Sequence, residues 1–71
     1  MEALIFKTNI RTQPDFNRVK NLLFDNPKVS ECTVDLDDID KVLRVIAEGL
    51  SVRDVEHQVR LMGFYCKEMD D

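Results

Sequence analysis

Two helix-start signals, set alike between apolar runs, constrain this chain more than any other feature. Thr12 is followed three residues later by Asp15, and thirty-nine residues further on Ser51 is followed by Asp54. A small hydroxyl residue with an acid three places on is the pattern of a capping box. Each side chain then satisfies a backbone N–H that the first helical turn leaves free. After Thr12, Pro14 suits a first turn, and Phe16, Val19, Leu22 and Leu23 follow at helical spacing. The pattern predicts a helix over about 13–24, ended by Asp25-Asn26-Pro27, because the residue before a proline is pushed out of the helical region. After Ser51, the positions Val52, Val55, Val59 and Met62 predict a second helix, with Gly63 placed to end it.

The segments around these helices alternate as strands do. In residues 3–9, Leu4, Phe6 and Thr8 share one face and Ile5 and Lys7 the other. Val29 to Leu36 puts Cys32, Val34 and Leu36 on one face. The stretch Asp37-Asp38-Ile39-Asp40 makes a turn, and Lys41 to Ile46 returns as a third strand, close enough to form an antiparallel hairpin. Phe64 to Met69 is the fourth. The order β-α-β-β-α-β predicts one α+β domain over residues 1–71. It is a ferredoxin-like sandwich, an antiparallel four-stranded sheet in the order 4-1-3-2 with both helices on one face.

Composition narrows the function. At 71 residues and 44 % hydrophobic content, the chain has one modest core and no room for a cleft between lobes. A formal charge of −4 argues against nucleic acid as partner, since phosphate binding rests on Lys and Arg. The five aromatics (Phe6, Phe16, Phe24, Phe64, Tyr65) are not interleaved with basic runs, so no stacking platform is expected either. The opening MEALIFKTNI lacks a basic n-region and is expected to be a strand, not a leader. No apolar run is long enough for a membrane span. Cys32 and Cys66 form no CxxC pattern and are expected as reduced, buried thiols of a cytoplasmic protein, on opposite edge strands and too far apart to bond. Asp70 and Asp71 are expected to be a solvated tail.

The chain resembles a heavy-metal-associated domain, the small module of copper and other soft-metal chaperones and of metal-transporting ATPases. The likeness runs through Phe6-Lys7, Val19 with Leu22-Leu23, Asn26-Pro27-Lys28-Val29 with Val34-Asp35-Leu36, Lys41-Val42 to Val45, and Gly63-Phe64-Tyr65. It covers nearly the whole chain. The family's metal loop, GMxCxxC, holds a soft ion between two thiolates beside a helix N-terminus. Here the loop reads Asn9-Ile10-Arg11-Thr12-Gln13-Pro14-Asp15-Phe16. With Ile10 in the place of the buried methionine, Thr12 and Asp15 occupy the thiol positions; one residue on, Gln13 and Phe16 do. Neither alignment supplies a soft ligand. The resemblance therefore implies a degenerate member without the metal loop, with no cofactor.

Other candidate sites are weak. The acids Asp35, Asp37, Asp38 and Asp40 lack the spacing of a calcium loop and are expected as a solvated turn. His57 lies between Glu56 and Gln58 as an exposed helix residue. No catalytic triad, phosphate loop or HExxH motif is present, so no enzymatic activity is expected. The outer face of the sheet stands out instead. Alternation places Ile5, Val42, Ile46 and Tyr65 there, rimmed by Lys7 and Arg44, as an uncovered apolar patch on a very small protein. The leading expectation is a non-catalytic module that associates through this face or a sheet edge, as a homodimer or with a protein partner. The alternative is residual heavy-metal binding or transport through non-standard ligands. Small-ligand sensing at a dimer interface is a third, resting on fold analogy alone.

Overall fold

A computed structural model describes residues 1–69; the expected tail at Asp70 and Asp71 lies outside the described residues. Strand β1 (Glu2–Thr8) leads to helix α1 (Gln13–Phe24), then come strands β2 (Val29–Val34) and β3 (Leu43–Ala47), helix α2 (Val52–Leu61) and strand β4 (Cys66–Glu68). All pairings are antiparallel and the sheet order is β2-β3-β1-β4, the expected ferredoxin-like arrangement.

The alternation of β1 decides which face is covered. Leu4, Phe6 and Thr8 are buried, while Ala3 and Lys7 are exposed and Ile5 is half-buried. Phe16, Val19 and Leu23 of α1 and Val55 and Val59 of α2 complete the core with Cys32, Leu43, Val45 and Cys66. The polar groups on that covered face are satisfied. Thr8 donates its hydroxyl to the Lys41 carbonyl at 2.6 Å and accepts the Ile10 N–H at 3.3 Å. A bulge between Val29 and Glu31 shifts the β2–β3 register, and there the Ser30 hydroxyl donates to the Ile46 carbonyl at 3.1 Å.

Strand ends differ from the sequence reading for local reasons. The third strand starts at Leu43, not Lys41, because Lys41 sits in the left-handed region at φ 45°. The second stops at Val34, although the Asp35 N–H still donates to the Val42 carbonyl; the Asp35 carboxylate then accepts the Asp37 N–H and turns the chain. The last strand begins at Cys66, not Phe64. Gly63 leaves α2 at φ 91°, and the Tyr65 N–H donates to the Asn9 side chain, not to the ladder. Only α2 has the full capping box. At α1, Thr12 accepts the Asp15 N–H at 3.2 Å, but no return bond from the Asp15 carboxylate forms; that carboxylate lies 3.7 Å from Arg18 instead. No helix among the described residues is long and apolar enough to cross a membrane.

Candidate functional site

The loop joining β1 to α1 is built around Ile10, which is fully buried although it belongs to neither element. Thr12 follows in extended conformation as the N-cap, and Asp15 lies in the first turn with Pro14. Phe16, the ligand position in the shifted alignment, is buried in the core. Of the loop positions in the two alignments, Ile10 and Phe16 are buried, while Thr12, Gln13 and Asp15 keep accessible polar side chains at the helix start. What this end of the fold offers is one hydroxyl, already accepting a backbone N–H, and one carboxylate, already close to a guanidinium. Both are hard oxygen donors, poorly suited to Cu(I).

The thiols lie elsewhere. Cys32 is in register with Val45 and through it with Leu4, whereas Cys66 is in register with Thr8. Three strand spacings across the sheet and four residues along β1 separate them, roughly 20 Å. Both are free and buried. Burial pushes the Cys32 thiol up to about 11, against a smaller lowering by Lys20. Burial, helped by Glu56 and opposed by Arg60, pushes the Cys66 thiol up to about 12. Neither is a thiolate at neutral pH, and they cannot share an ion. Among the described residues no three His, Cys, Asp or Glu side chains are grouped to hold a metal. His57 is exposed on α2. A two-thiolate soft-metal site does not fit these residues.

Thr8 and Asn9, absent from the sequence-derived candidates, pin this end of the molecule. Asn9 Oδ1 accepts the Tyr65 N–H at 2.8 Å, tying the α1 loop to the entrance of β4. The Thr8 N–H donates to the Asp40 carbonyl at 3.0 Å, tying β1 to the 35–42 hairpin. Lys7 Nζ lies 3.5 Å from the Asp40 carboxylate, and Lys41 Nζ donates to the Leu36 carbonyl at 2.8 Å. The available sequence signal was Thr8 itself, a polar residue at a core-facing place that must find a partner.

The uncovered sheet face gathers the other predicted residues. Ile5, Val42 and Ile46 are half-buried, and Lys7 and Arg44 are exposed. Ile5 is in register with Arg44, and Arg44 with Thr33; Ile46 lies between Ala3 and Glu31. Charged and polar side chains therefore interrupt the apolar patch that alternation suggested. Two members sit outside the strands: Val42 just before β3, and Tyr65, 50 % exposed, just before β4. Lys7 faces Lys67 of β4 directly. Ile39 at the tip of the acidic turn, 93 % exposed, is a separate apolar point.

A cleft of about 570 Å³ opens at the opposite end, between the end of α1 and the start of α2, lined by Leu22, Pro27, Leu50, Asp54 and Gln58 among others. Two of its charged groups, Asp54 and Lys28, serve the fold. Asp54 closes the α2 capping box, which holds its carboxyl below the usual range, and Lys28 Nζ donates to the Gly49 carbonyl.

No family model and no curated protein sequence matches the chain. Solved structures do. The yeast copper transporter domain Ccc2a, solved in apo and Cu(I)-loaded states, superposes with a TM-score of 0.86 at 15 % identity, over 100 % of this chain and 99 % of that one. A copper-binding domain from HMA7, a P-type ATPase, gives 0.84 at 15 % identity over 99 % and 96 %. A chain of the Atx1–Cu(I)–Ccc2a complex gives 0.87 at 15 % identity over 100 % and 99 %. At such identity the likeness establishes the shared fold.

Proposed function

We propose that this chain is a non-catalytic protein-interaction module on the fold of copper-domain proteins, one that has lost thiolate metal binding and works by docking a protein surface. One observation carries the reading: with Ile10 buried, the positions beside the helix N-terminus hold Thr12, whose hydroxyl caps the helix, and Asp15, whose carboxylate lies against Arg18. The uncovered sheet face, where Ile5, Val42 and Ile46 remain partly accessible, supplies a docking surface. A structural neighbour known from the Atx1–Cu(I)–Ccc2a complex is in keeping with protein docking on this fold.

The same neighbours favour a second reading, metal binding or transport, because the Ccc2a and HMA7 domains are copper proteins. On this chain it needs ligands other than a thiolate pair, and Thr12 and Asp15 are the residues at the corresponding place. Elemental analysis with native mass spectrometry of Cu(I)-treated, chelator-washed protein decides between them. The expected result is metal-free protein. One copper per chain, lost in Thr12→Ala, in Asp15→Asn or in the Cys32→Ser, Cys66→Ser double variant, would replace the docking reading with the metal one and name the ligands.

A further inference from the structure

The charges on the uncovered sheet face are sorted by strand. The β2 edge carries Glu31 and, one residue past its end, Asp35; the β4 edge carries Lys67, and β1 beside it carries Lys7. Arg44 stands on β3 between them. Lys67, Arg44, Glu31 and Asp35 form no ion pair among the described residues, and Lys67 stands directly opposite Lys7, whose own ammonium lies 3.5 Å from the Asp40 carboxylate, so Lys67 is the unpaired cation of that edge. An acidic edge and a basic edge on one face make that face complementary to itself.

Two symmetric stackings of such a face are possible, and charge chooses between them. A two-fold axis lying across the strands puts β2 on β2 and β4 on β4, acid against acid. A two-fold axis parallel to the strands puts β2 of one copy on β4 of the other. Lys67 and Asp35 then meet at the same height. Lys67 is level with Lys7, Lys7 lies one residue past the Phe6–Leu43 pair, and Asp35 lies one residue past the Val34–Leu43 pair. Every Lys67 so placed faces the partner's Asp35, and the contact occurs twice, as an isologous interface requires. The same rotation lays Ile46 against the partner's Ala3 and the aliphatic stem of Arg44 against the partner's Ile5, so the interrupted apolar rows are filled from the other copy.

We propose that the occupant of the sheet face is a second copy of this chain, stacked about a two-fold axis parallel to the strands and held in register by two Lys67–Asp35 pairs. This rests on the reading of the chain as a docking module and names its partner. Four strands and about five residues cover roughly 19 by 17 Å. That is less than the roughly 800 Å² per partner of a standard interface, so association is expected to be weak, and weaker still at high salt.

Analytical ultracentrifugation over a concentration series tests the geometry. Lys67→Glu and Asp35→Lys should each weaken self-association about tenfold or more at low salt, while an equimolar mixture of the two variants should associate like the unaltered protein. In the mixed dimer one contact is the native Lys67–Asp35 pair and the other is the same pair with its signs reversed. The stacking that lays β2 on β2 would not be weakened by either single variant, so weakening and recovery together identify the axis parallel to the strands. Because the Asp35 carboxylate also accepts the Asp37 N–H, Asp35→Asn removes the charge but keeps that acceptor, and it should weaken association in the same direction. A monomer at about 0.5 mM, or single variants that associate normally, or a mixture that fails to recover, would overturn the proposal. A metal-free monomer overturns only the second copy, whereas a stoichiometric copper ion overturns the docking reading whatever the mass.

Discussion

Installing the missing thiols, Thr12→Cys with Asp15→Cys, should turn this chain into a Cu(I) binder. The two positions are a C-x-x-C spacing at the start of α1, where the helix N-terminus favours thiolate. The structure also sets the cost. Thr12 is the N-cap and accepts the Asp15 N–H, so replacing it forfeits about 1 kcal/mol. Asp15 forms an exposed pair with Arg18, worth a few tenths of a kcal/mol, and its charge in the first turn contributes about 0.5 kcal/mol. The metal-free variant should be about 1.5–2 kcal/mol less stable and melt about 6–16 °C lower, at 4–8 °C per kcal/mol for a domain of this size. Free Cu(I) at a hundredfold excess over Kd restores about 2.7 kcal/mol, so the loaded variant should melt at or above the unaltered protein. Competition with a colorimetric Cu(I) chelator, followed beside thermal melts by circular dichroism, reads both effects. A folded variant that retains no Cu(I) would refute the placement of Ile10 in the buried-methionine position. Equal retention by the unaltered protein would refute the argument that donor type decides.

Two further outcomes follow from buried groups and backbone. Burial raises both thiols above their ordinary 9.0, to about 11 for Cys32 and about 12 for Cys66, so the folded state holds those protons more tightly than the unfolded one. Their contribution is complete below about pH 9 and is lost as pH rises towards 11–12. Urea midpoints should fall between pH 8.5 and 10.5, the fall should flatten in the Cys32→Ala, Cys66→Ala variant, and a thiol reagent at pH 8 should react only with unfolded protein. Gly63 meets no neighbour that a Cβ would touch, yet its φ of 91° strains any other residue. Gly63→Ala should therefore destabilise by about 1–2 kcal/mol and lower the melting temperature by about 4–16 °C, through backbone strain alone. An unchanged melting curve would contradict that account.

Element order, strand alternation and the helix starts were legible in the chain because each rests on residues close in sequence. Leu4, Phe6 and Thr8 declare a covered face by period, and Ser51 with Asp54 declares a helix start by spacing. The loop at 9–16 declares by residue type that it lacks soft ligands. Contacts between distant segments were not legible. The Tyr65 N–H left the strand ladder for Asn9, fifty-six positions away, so the fourth strand shortened to Cys66–Glu68. Lys41 took a left-handed conformation with its carbonyl held by Thr8, so Val42 fell outside its strand. One local contact was also not read: Arg18, three residues along α1, takes the Asp15 carboxylate, and the first capping box stayed half-formed.

The chain alone thus determined the architecture and the donor types available, both being local properties of pattern and chemistry. Tertiary structure decided which residues meet. It set the two thiols roughly 20 Å apart on opposite sheet edges. It also collected acids on one edge of the open face and lysines towards the other, a sorting that arises only when the strand order β2-β3-β1-β4 brings β1 beside β4. Register between strands depends on the whole packed sheet, and no local pattern encodes it.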